Sequence, residues 1–140
     1  MIKETSKEND GAAKKILLVE DNLINGKLVS KILEIVGYQV EWARNGKEAI
    51  EMIGQSPHSF YLVFMDIQMP EMNGFEATRW IRQQGLDIPV VAMTAHALKG
   101  DREKCIEAGM DDYLTKPVDR ADLLMIVEKW SQHSKDGQSN

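Results

Sequence analysis

The stretch Phe64–Gly74, FMDIQMPEMNG, decides the fold, because it carries one carboxylate from an apolar run directly into a loop. The run Leu62–Met65 precedes Asp66, whereas Pro70 and Gly74 after it are typical of a loop. An acid in this position could simply cap a helix or lie in solvent. Its role therefore depends on which other side chains reach the same place.

Length and composition indicate one globular domain. The chain has 140 residues, enough for one core and too few for two. Its formal net charge of −5 argues against nucleic acid as a partner, because phosphates attract a basic surface. The sequence has no apolar run long enough for membrane insertion, and its single cysteine, Cys105, excludes an internal disulfide. We therefore expect a cytoplasmic protein.

The two ends of the chain differ from its middle. Residues 1–13 and 133–140 are polar and lack periodicity, so we expect a flexible leader and a flexible tail. Between them, in residues 14–132, five short apolar runs alternate with helical patterns. This alternation predicts parallel strands joined by right-handed helical crossovers. Asp21 or Asn22 can cap the first of these helices.

The pattern of apolar and polar residues in the five runs, together with their lengths, predicts their order in the sheet. Runs one, three and four, Ile16–Val19, Leu62–Met65 and Ile88–Met93, are apolar throughout, as expected for strands covered on both faces. The second run, around Val40, alternates with polar residues, and the fifth, Asp112–Thr115, is short, as expected at edges. We predict a flavodoxin-like, doubly wound α/β fold with a five-stranded parallel sheet in the order 2-1-3-4-5 and five helices. In this fold, the ligand crevice lies at the carboxyl ends of strands one and three.

Polar side chains follow four of the five predicted strands. Glu20 and Asp21 follow the first, Asp66 the third, Thr94 the fourth and Lys116 the fifth. Each alone has a structural explanation, such as a helix cap or a surface charge. Because parallel strands end at the same edge of a sheet, we expect all of them to meet there.

The residue types in this set predict phosphoryl chemistry. Three carboxylates in one crevice repel each other unless a cation lies among them. Oxygen ligands without histidine or cysteine nearby in sequence favour Mg²⁺, with Mn²⁺ as the second choice. One carboxylate would then be free to attack phosphorus, Lys116 would balance the charge, and Thr94 would donate a hydrogen bond to a phosphoryl oxygen.

Four segments of the chain resemble a known family. ILLVEDN, VFMDIQMPEMNGFEATRWIR, VVAMTAHA and DDYLTKPVD, which lie at 16–22, 63–82, 90–97 and 111–119, are similar to the signature segments of the two-component response-regulator receiver domain. The sequences of these segments are most similar to those of receivers of hybrid sensor histidine kinases and phosphorelays. The resemblance runs from about Lys14 to Gln132.

The resemblance implies a role for each acid. Asp66 would be the phosphoacceptor of a His-to-Asp phosphorelay. Glu20, Asp21 and Asp66 would hold the metal, together with the backbone carbonyl of Gln68. The phosphodonor would be a histidine kinase or a histidine phosphotransfer protein.

The resemblance also implies how phosphorylation would be read out. Thr94 and Lys116 would contact the phosphoryl group, and the Lys116–Pro117 peptide bond would be cis. Tyr113 matches the aromatic switch position, so a downstream protein would bind the surface 98–130 of a monomer or weak dimer.

Two further residues border the expected phosphoryl group. Gln68 and His96 occupy positions that vary among family members, and we expect them to modulate hydrolysis. A histidine such as His96 could also be taken for a phosphodonor or a metal ligand, but we favour a partly exposed loop histidine over those two roles.

Other functions remain as alternatives. An aspartyl-nucleophile phosphatase also places its aspartate after an apolar strand, but it needs a second acid two residues later, where this chain has Gln68. A nucleotide-binding kinase loop is missing from the sequence, and a pure interaction module would not need the intact polar set. We therefore expect no turnover enzyme. A stand-alone protein and a receiver fragment of a hybrid sensor histidine kinase both remain open.

Overall fold

The computed structural model describes residues 15–95 and 99–139, so the expected leader at 1–13 lies outside the described residues. The strands are β1 Lys15–Val19, β2 Val40–Ala43, β3 Phe60–Asp66, β4 Val90–Thr94 and β5 Asp112–Thr115. The helices in the described part are α1 Leu23–Ile35, α2 Gly46–Gln55, α3 Gly74–Gln83, α4 Lys99–Ala108 and α5 Arg120–Ser139. Strands and helices alternate along the chain as predicted.

The sheet has the order β2-β1-β3-β4-β5, and each neighbouring pair is parallel. This confirms the predicted order and the flavodoxin-like fold class. The register pairs Val19 with Met65, and Thr94 with Thr115. The ends of β1, β3, β4 and β5 therefore lie side by side, and each strand leads its polar residue to the same edge.

Both faces of the sheet are covered, which explains the apolar runs. Leu17, Val63 and Ala92 belong to one core cluster, which α2, α3 and α4 complete. Their neighbours along the strands, such as Leu18 and Phe64, point to the opposite face, where α1 and α5 pack. Successive side chains of a strand alternate between the faces, so the central strands must be apolar at every position.

Side-chain caps fix the beginnings of the helices. Asn22, one of the two residues proposed for α1, accepts a hydrogen bond from the amide of Asn25 at 2.9 Å. Asn73 and Glu76 form a capping box at the start of α3, where Asn73 accepts from the Glu76 amide and Glu76 accepts from the Asn73 amide. The helix that follows the phosphoacceptor candidate is therefore held at its first turn.

The last helix, α5, extends to Ser139 and so includes most of the segment 133–140. The flexibility that we expect of this segment stays a prediction. Residues 131–139 contain no proline, so the helical backbone continues there without a missing amide donor. Over the described residues, the structure has no helix with the length and apolar character required to cross a membrane.

Candidate functional site

Asp66 is the last residue of β3, and its side chain is buried. One of its carboxylate oxygens, Oδ1, accepts a hydrogen bond from the amide of Gln68 at 3.3 Å. The chain then folds back, because the amide of Gly74 donates to the carbonyl of Ile67 at 2.9 Å. A Cβ atom at Gly74 would lie 2.4 Å from the carbonyl oxygen of Asp66, so only glycine fits this approach.

Glu20 directly follows β1, and none of its surface is exposed. The amide of Asn22 donates to its Oε2 at 3.2 Å, and the side-chain amide of Asn25 donates to its Oε1 at 2.7 Å. Lys116 Nζ lies 3.1 Å from each of its two carboxylate oxygens. The buried carboxylate is thus satisfied by protein donors, as a buried charge must be.

Lys116 bridges the two buried acids. Its Nζ lies 3.1 Å from Asp66 Oδ1 as well as from Glu20. Burial lowers the pKa of Lys116, but the hydrogen bonds and charges of Glu20 and Asp66 outweigh it, so its pKa is raised and the ammonium form is favoured. Its own amide donates to the Thr94 carbonyl at 2.7 Å, and the Lys116–Pro117 peptide bond is cis.

The carboxyl group of Asp66 has a pKa raised to about 7. Burial is the largest cause, and the negative charge and hydrogen bond of Glu20 add to it. Lys116 acts in the opposite direction without cancelling these effects. Relative to an aspartate in water, burial and the neighbouring Glu20 therefore favour the neutral form of the Asp66 carboxyl group.

Glu20, Asp21 and Asp66 each place one carboxylate oxygen within 4.8 Å of the others. Asp21 is exposed, whereas the other two are buried, so the cluster opens to solvent on one side. Three carboxylates facing one ammonium leave an excess of negative charge, which a divalent cation would balance. The ligand set contains oxygen alone, and therefore fits a hard ion such as Mg²⁺.

Thr94 and Tyr113 lie on the neighbouring strands β4 and β5. Thr94 ends β4 with its side chain buried, and it borders a groove of about 480 Å³ together with Gln68. Tyr113 is half-buried in β5, where it pairs with Ala92, two residues before Thr94. The guanidinium carbon of Arg102 lies 5.6 Å from the centre of the Tyr113 ring.

Gln68 is exposed in the loop after Asp66, whereas His96 lies outside the described residues. Sequence reasoning missed two residues that touch Glu20. Asn25 binds its carboxylate, and the indole Nε1 of Trp42 donates to its backbone carbonyl at 2.9 Å. The position of Asn25 one turn into α1 was a usable signal, since that turn faces the end of β1.

The fold and the site together define a class of protein, the doubly wound parallel α/β proteins with an acidic crevice at the carboxyl ends of their strands. The sequence model of a protein family, the response regulator receiver domain, matches residues 16–128 of the chain. The chain belongs to this family.

Individual relatives agree with this family. The chain is 45% identical over 118 residues to two-component system protein A of Emericella nidulans, covering 84% of this chain and 17% of that protein. The first curated relatives that it matches are much longer, and the chain spans no more than 17% of their length.

Solved structures share the fold. The receiver domain of the sensor histidine kinase PA1611 from Pseudomonas aeruginosa PAO1, with a magnesium ion in its active site cleft, is 40% identical, with a TM-score of 0.77 over 85% of this chain and 98% of that one. The receiver domain of Ssk1 from Saccharomyces cerevisiae was crystallised with the histidine phosphotransfer protein Ypd1. The matched chain of that complex is 32% identical, with a TM-score of 0.78 over 84% of this chain and 88% of that chain.

Proposed function

We propose that this chain accepts a phosphoryl group on Asp66 and works as a receiver in a His-to-Asp phosphorelay. The observation that carries the proposal is the contact of one lysine, Lys116, with both buried acids, Glu20 and Asp66, next to an exposed third acid. This arrangement has the nucleophile, the cation site and the ammonium that phosphoryl transfer requires. The family match over 16–128 supports taking residues 14–132 as the receiver unit.

In the proposed reaction, a carboxylate oxygen of Asp66 attacks the phosphorus of a phosphohistidine. The new P–O bond forms as the P–N bond breaks, and the electron pair returns to the imidazole nitrogen, which takes a proton from solvent. Lys116, already 3.1 Å from Asp66 Oδ1, stabilises the negative charge of the transferred group. Thr94 hydrogen-bonds one of its oxygens.

Glu20, Asp21, Asp66 and the backbone carbonyl of Gln68 would hold Mg²⁺, and Mn²⁺ could replace it. The bound ion would neutralise charge on the phosphoryl oxygens. The convergence of three carboxylate oxygens within 4.8 Å of one another supports this assignment. A receiver of known structure with magnesium in its active site cleft supports it further.

The donor in our proposal is a histidine kinase or a histidine phosphotransfer protein. The complex of the Ssk1 receiver with Ypd1 supports this class of partner. We also propose that the chain is a switch and not a turnover phosphatase, because Gln68 stands two residues after Asp66, where such an enzyme needs an acid. Its output would pass through Thr94 and Tyr113 to a protein partner on the surface 98–130.

The proposal is tested with acetyl phosphate as a small phosphodonor and intact mass spectrometry. With Mg²⁺ present, we expect one added phosphoryl mass on the wild-type chain. EDTA should suppress the adduct, and Asp66→Asn should abolish it. The matched control is Asp87→Asn, which removes an exposed aspartate and should leave the adduct unchanged. An adduct that persists in Asp66→Asn would overturn the assignment.

A further inference from the structure

Trp42 touches the acidic cluster from the neighbouring strand. Both backbone polar groups of Glu20 are bound by β2: its amide donates to the carbonyl of Ala43 at 3.0 Å, and its carbonyl accepts from the Trp42 indole at 2.9 Å. The carbonyl of Glu20 belongs to the peptide unit that leads into Asp21. Because that unit is planar, fixing its oxygen fixes the backbone direction at Asp21.

The indole is also held by the helix that follows the cluster. A Cβ atom at Gly26 would lie 2.0 Å from ring atom Cζ2 of Trp42, so the ring rests directly on the backbone of α1. The guanidinium carbon of Arg44 lies 5.7 Å from the ring centre. Gly26 follows Asn25, which donates to the Glu20 carboxylate. The Trp42 ring therefore contacts both the loop that carries Glu20 and Asp21 and the first turn of α1, which follows that loop.

Asp21 itself is exposed, in contrast to Glu20. Its carboxylate is therefore held less by packing than by the direction of its backbone. We propose that Trp42 is a positioning residue of the acidic cluster, whose indole N–H fixes the Glu20–Asp21 peptide and so keeps Asp21 close enough to Asp66 for both to bind one divalent cation. This inference rests on the proposed function, because it assumes that the cluster binds Mg²⁺.

The test is a titration with Mg²⁺ followed by ¹H–¹⁵N NMR on the full chain. The chain has three tryptophans, whose indole signals are assigned with Trp→Phe variants. In the wild type, we expect the Trp42 indole signal to shift with the same Kd as the Asp66 amide. The Trp130 indole, which donates to Asp112 at 3.0 Å, should not shift.

Two variants test the positioning role. Trp42→Phe keeps an aromatic ring but removes the donor, and we expect Mg²⁺ affinity to fall on the order of tenfold, as for other supporting contacts of metal ligands. Gly26→Ala should displace the indole and weaken Mg²⁺ binding in the same direction. The matched control, Trp130→Phe, also removes an indole hydrogen bond but should leave the Kd unchanged. Thermal melts establish that each variant is folded.

The outcomes distinguish a failure of the positioning role of Trp42 from a failure of the proposed function. If the wild type binds Mg²⁺, while Trp42→Phe binds equally well and the Trp42 indole signal stays fixed, the positioning role is overturned and the proposed function stands. If Trp42→Phe does not fold, the wild-type indole shift and Gly26→Ala decide the matter. If the wild-type chain binds no Mg²⁺, the metal site fails and the inference fails with it.

Discussion

The two neighbouring acids at the end of β1 differ in how the protein holds them. Glu20 is completely buried and receives hydrogen bonds from Asn22, Asn25 and Lys116, so its charge is compensated. Asp21 is exposed, yet one of its carboxylate oxygens lies within 4.8 Å of both other acids. Like charges at this distance repel, so Asp21 costs stability while no cation is bound.

We expect Asp21→Asn to raise the melting temperature by about 2–4 °C in a buffer without divalent cations, which corresponds to roughly 1 kcal/mol for a chain of this size. The cause is the relief of repulsion with Glu20 and Asp66, and no buried donor is left unpaired. Mg²⁺ should raise the melting temperature of the wild type but not of this variant.

Asp87→Asn is the matched control for this melt, because it neutralises an exposed aspartate away from the cluster. It should leave the Mg²⁺-induced rise intact. A full Mg²⁺-induced rise in Asp21→Asn would show that Asp21 is not a ligand.

We expect Gln68→Ala to change the hydrolysis rate of the phosphoryl group severalfold without abolishing phosphorylation. Gln68 is exposed beside Asp66, so its side chain can border the path by which water reaches phosphorus. Mass spectrometry follows the loss of the adduct over time and so gives the hydrolysis rate. Gln39→Ala, at an exposed glutamine, is the control. Equal decay in wild type and Gln68→Ala would reject this role. The corresponding role of His96 stays a prediction.

At the scale of elements, the site depends on how closely α3 approaches the end of β3. The carbonyl of Ile67 accepts from the Gly74 amide, and a Cβ at Gly74 would meet Asp66 O at 2.4 Å and Met65 Cγ at 2.9 Å. The contact that a side chain would meet first is backbone, which cannot move aside as a flexible side chain can. The start of α3 thus has room only for glycine.

We expect Gly74→Ala to destabilise the fold by about 1–3 kcal/mol, the usual cost of overpacking. Gly54→Ala is the matched control, because its Cβ would lie 3.7 Å from the nearest atom, in Trp80, within a helix of ordinary geometry. There, alanine should be neutral or stabilise by up to about 1 kcal/mol. Urea unfolding measures both changes, and equal free energies of unfolding for the two variants would contradict this view of Gly74.

Strand order was predictable from sequence, because burial on one or both faces leaves a direct trace in residue type. The bounds of β4 were less so: it begins at Val90, not Ile88. The carbonyl of Ile88 is bound by the guanidinium of Arg82, and Pro89 has no amide to donate. The Arg82 contact leaves no trace in the local apolar pattern, whereas Pro89 is visible in the sequence and was the available signal.

The acids, the hydroxyl and the amine of the site were predictable, because the ends of parallel strands must meet. Trp42 was not predicted, because its partner, Glu20, lies 22 residues away and no local pattern marks the pairing. Asn25 lies only five residues after Glu20, and its position in the first turn of α1 was the signal that could have identified it. Trp42 contacts a backbone carbonyl 22 residues away. Because every residue has a backbone carbonyl, the residue type of the acceptor gives no sign of the contact. Contacts of this kind become visible only once strand register is known.

For the whole molecule, the question is how charge at Asp66 reaches a partner surface. Thr94 and Thr115 are paired across β4 and β5, and Tyr113 lies two residues earlier on β5. Arg102 of α4 packs over the Tyr113 ring, so a movement of the ring would change a contact of that helix. Movement of Thr94 towards a phosphoryl oxygen would free space into which Tyr113 could turn.

We expect beryllofluoride, a phosphoryl mimic, to shift the NMR signals of Thr94, of the Tyr113 ring and of α4. Burial of the ring can bias such a two-state switch by on the order of 1 kcal/mol. A partner that prefers the altered surface must in turn favour the phosphorylated form. If beryllofluoride binds at Asp66 while Tyr113 and α4 stay unchanged, the switch does not operate through this route.

In the proposed function, Asp66 itself carries the phosphoryl group. The most direct measurement phosphorylates the chain with Mg²⁺ and acetyl phosphate, reduces the acyl phosphate with borohydride and locates the product by tandem mass spectrometry. We predict that the reduced residue is Asp66, in the peptide that contains FMDIQMPEMNG. A label on Asp21, on Glu20 or on any residue outside this peptide would contradict the role of Asp66 as phosphoacceptor.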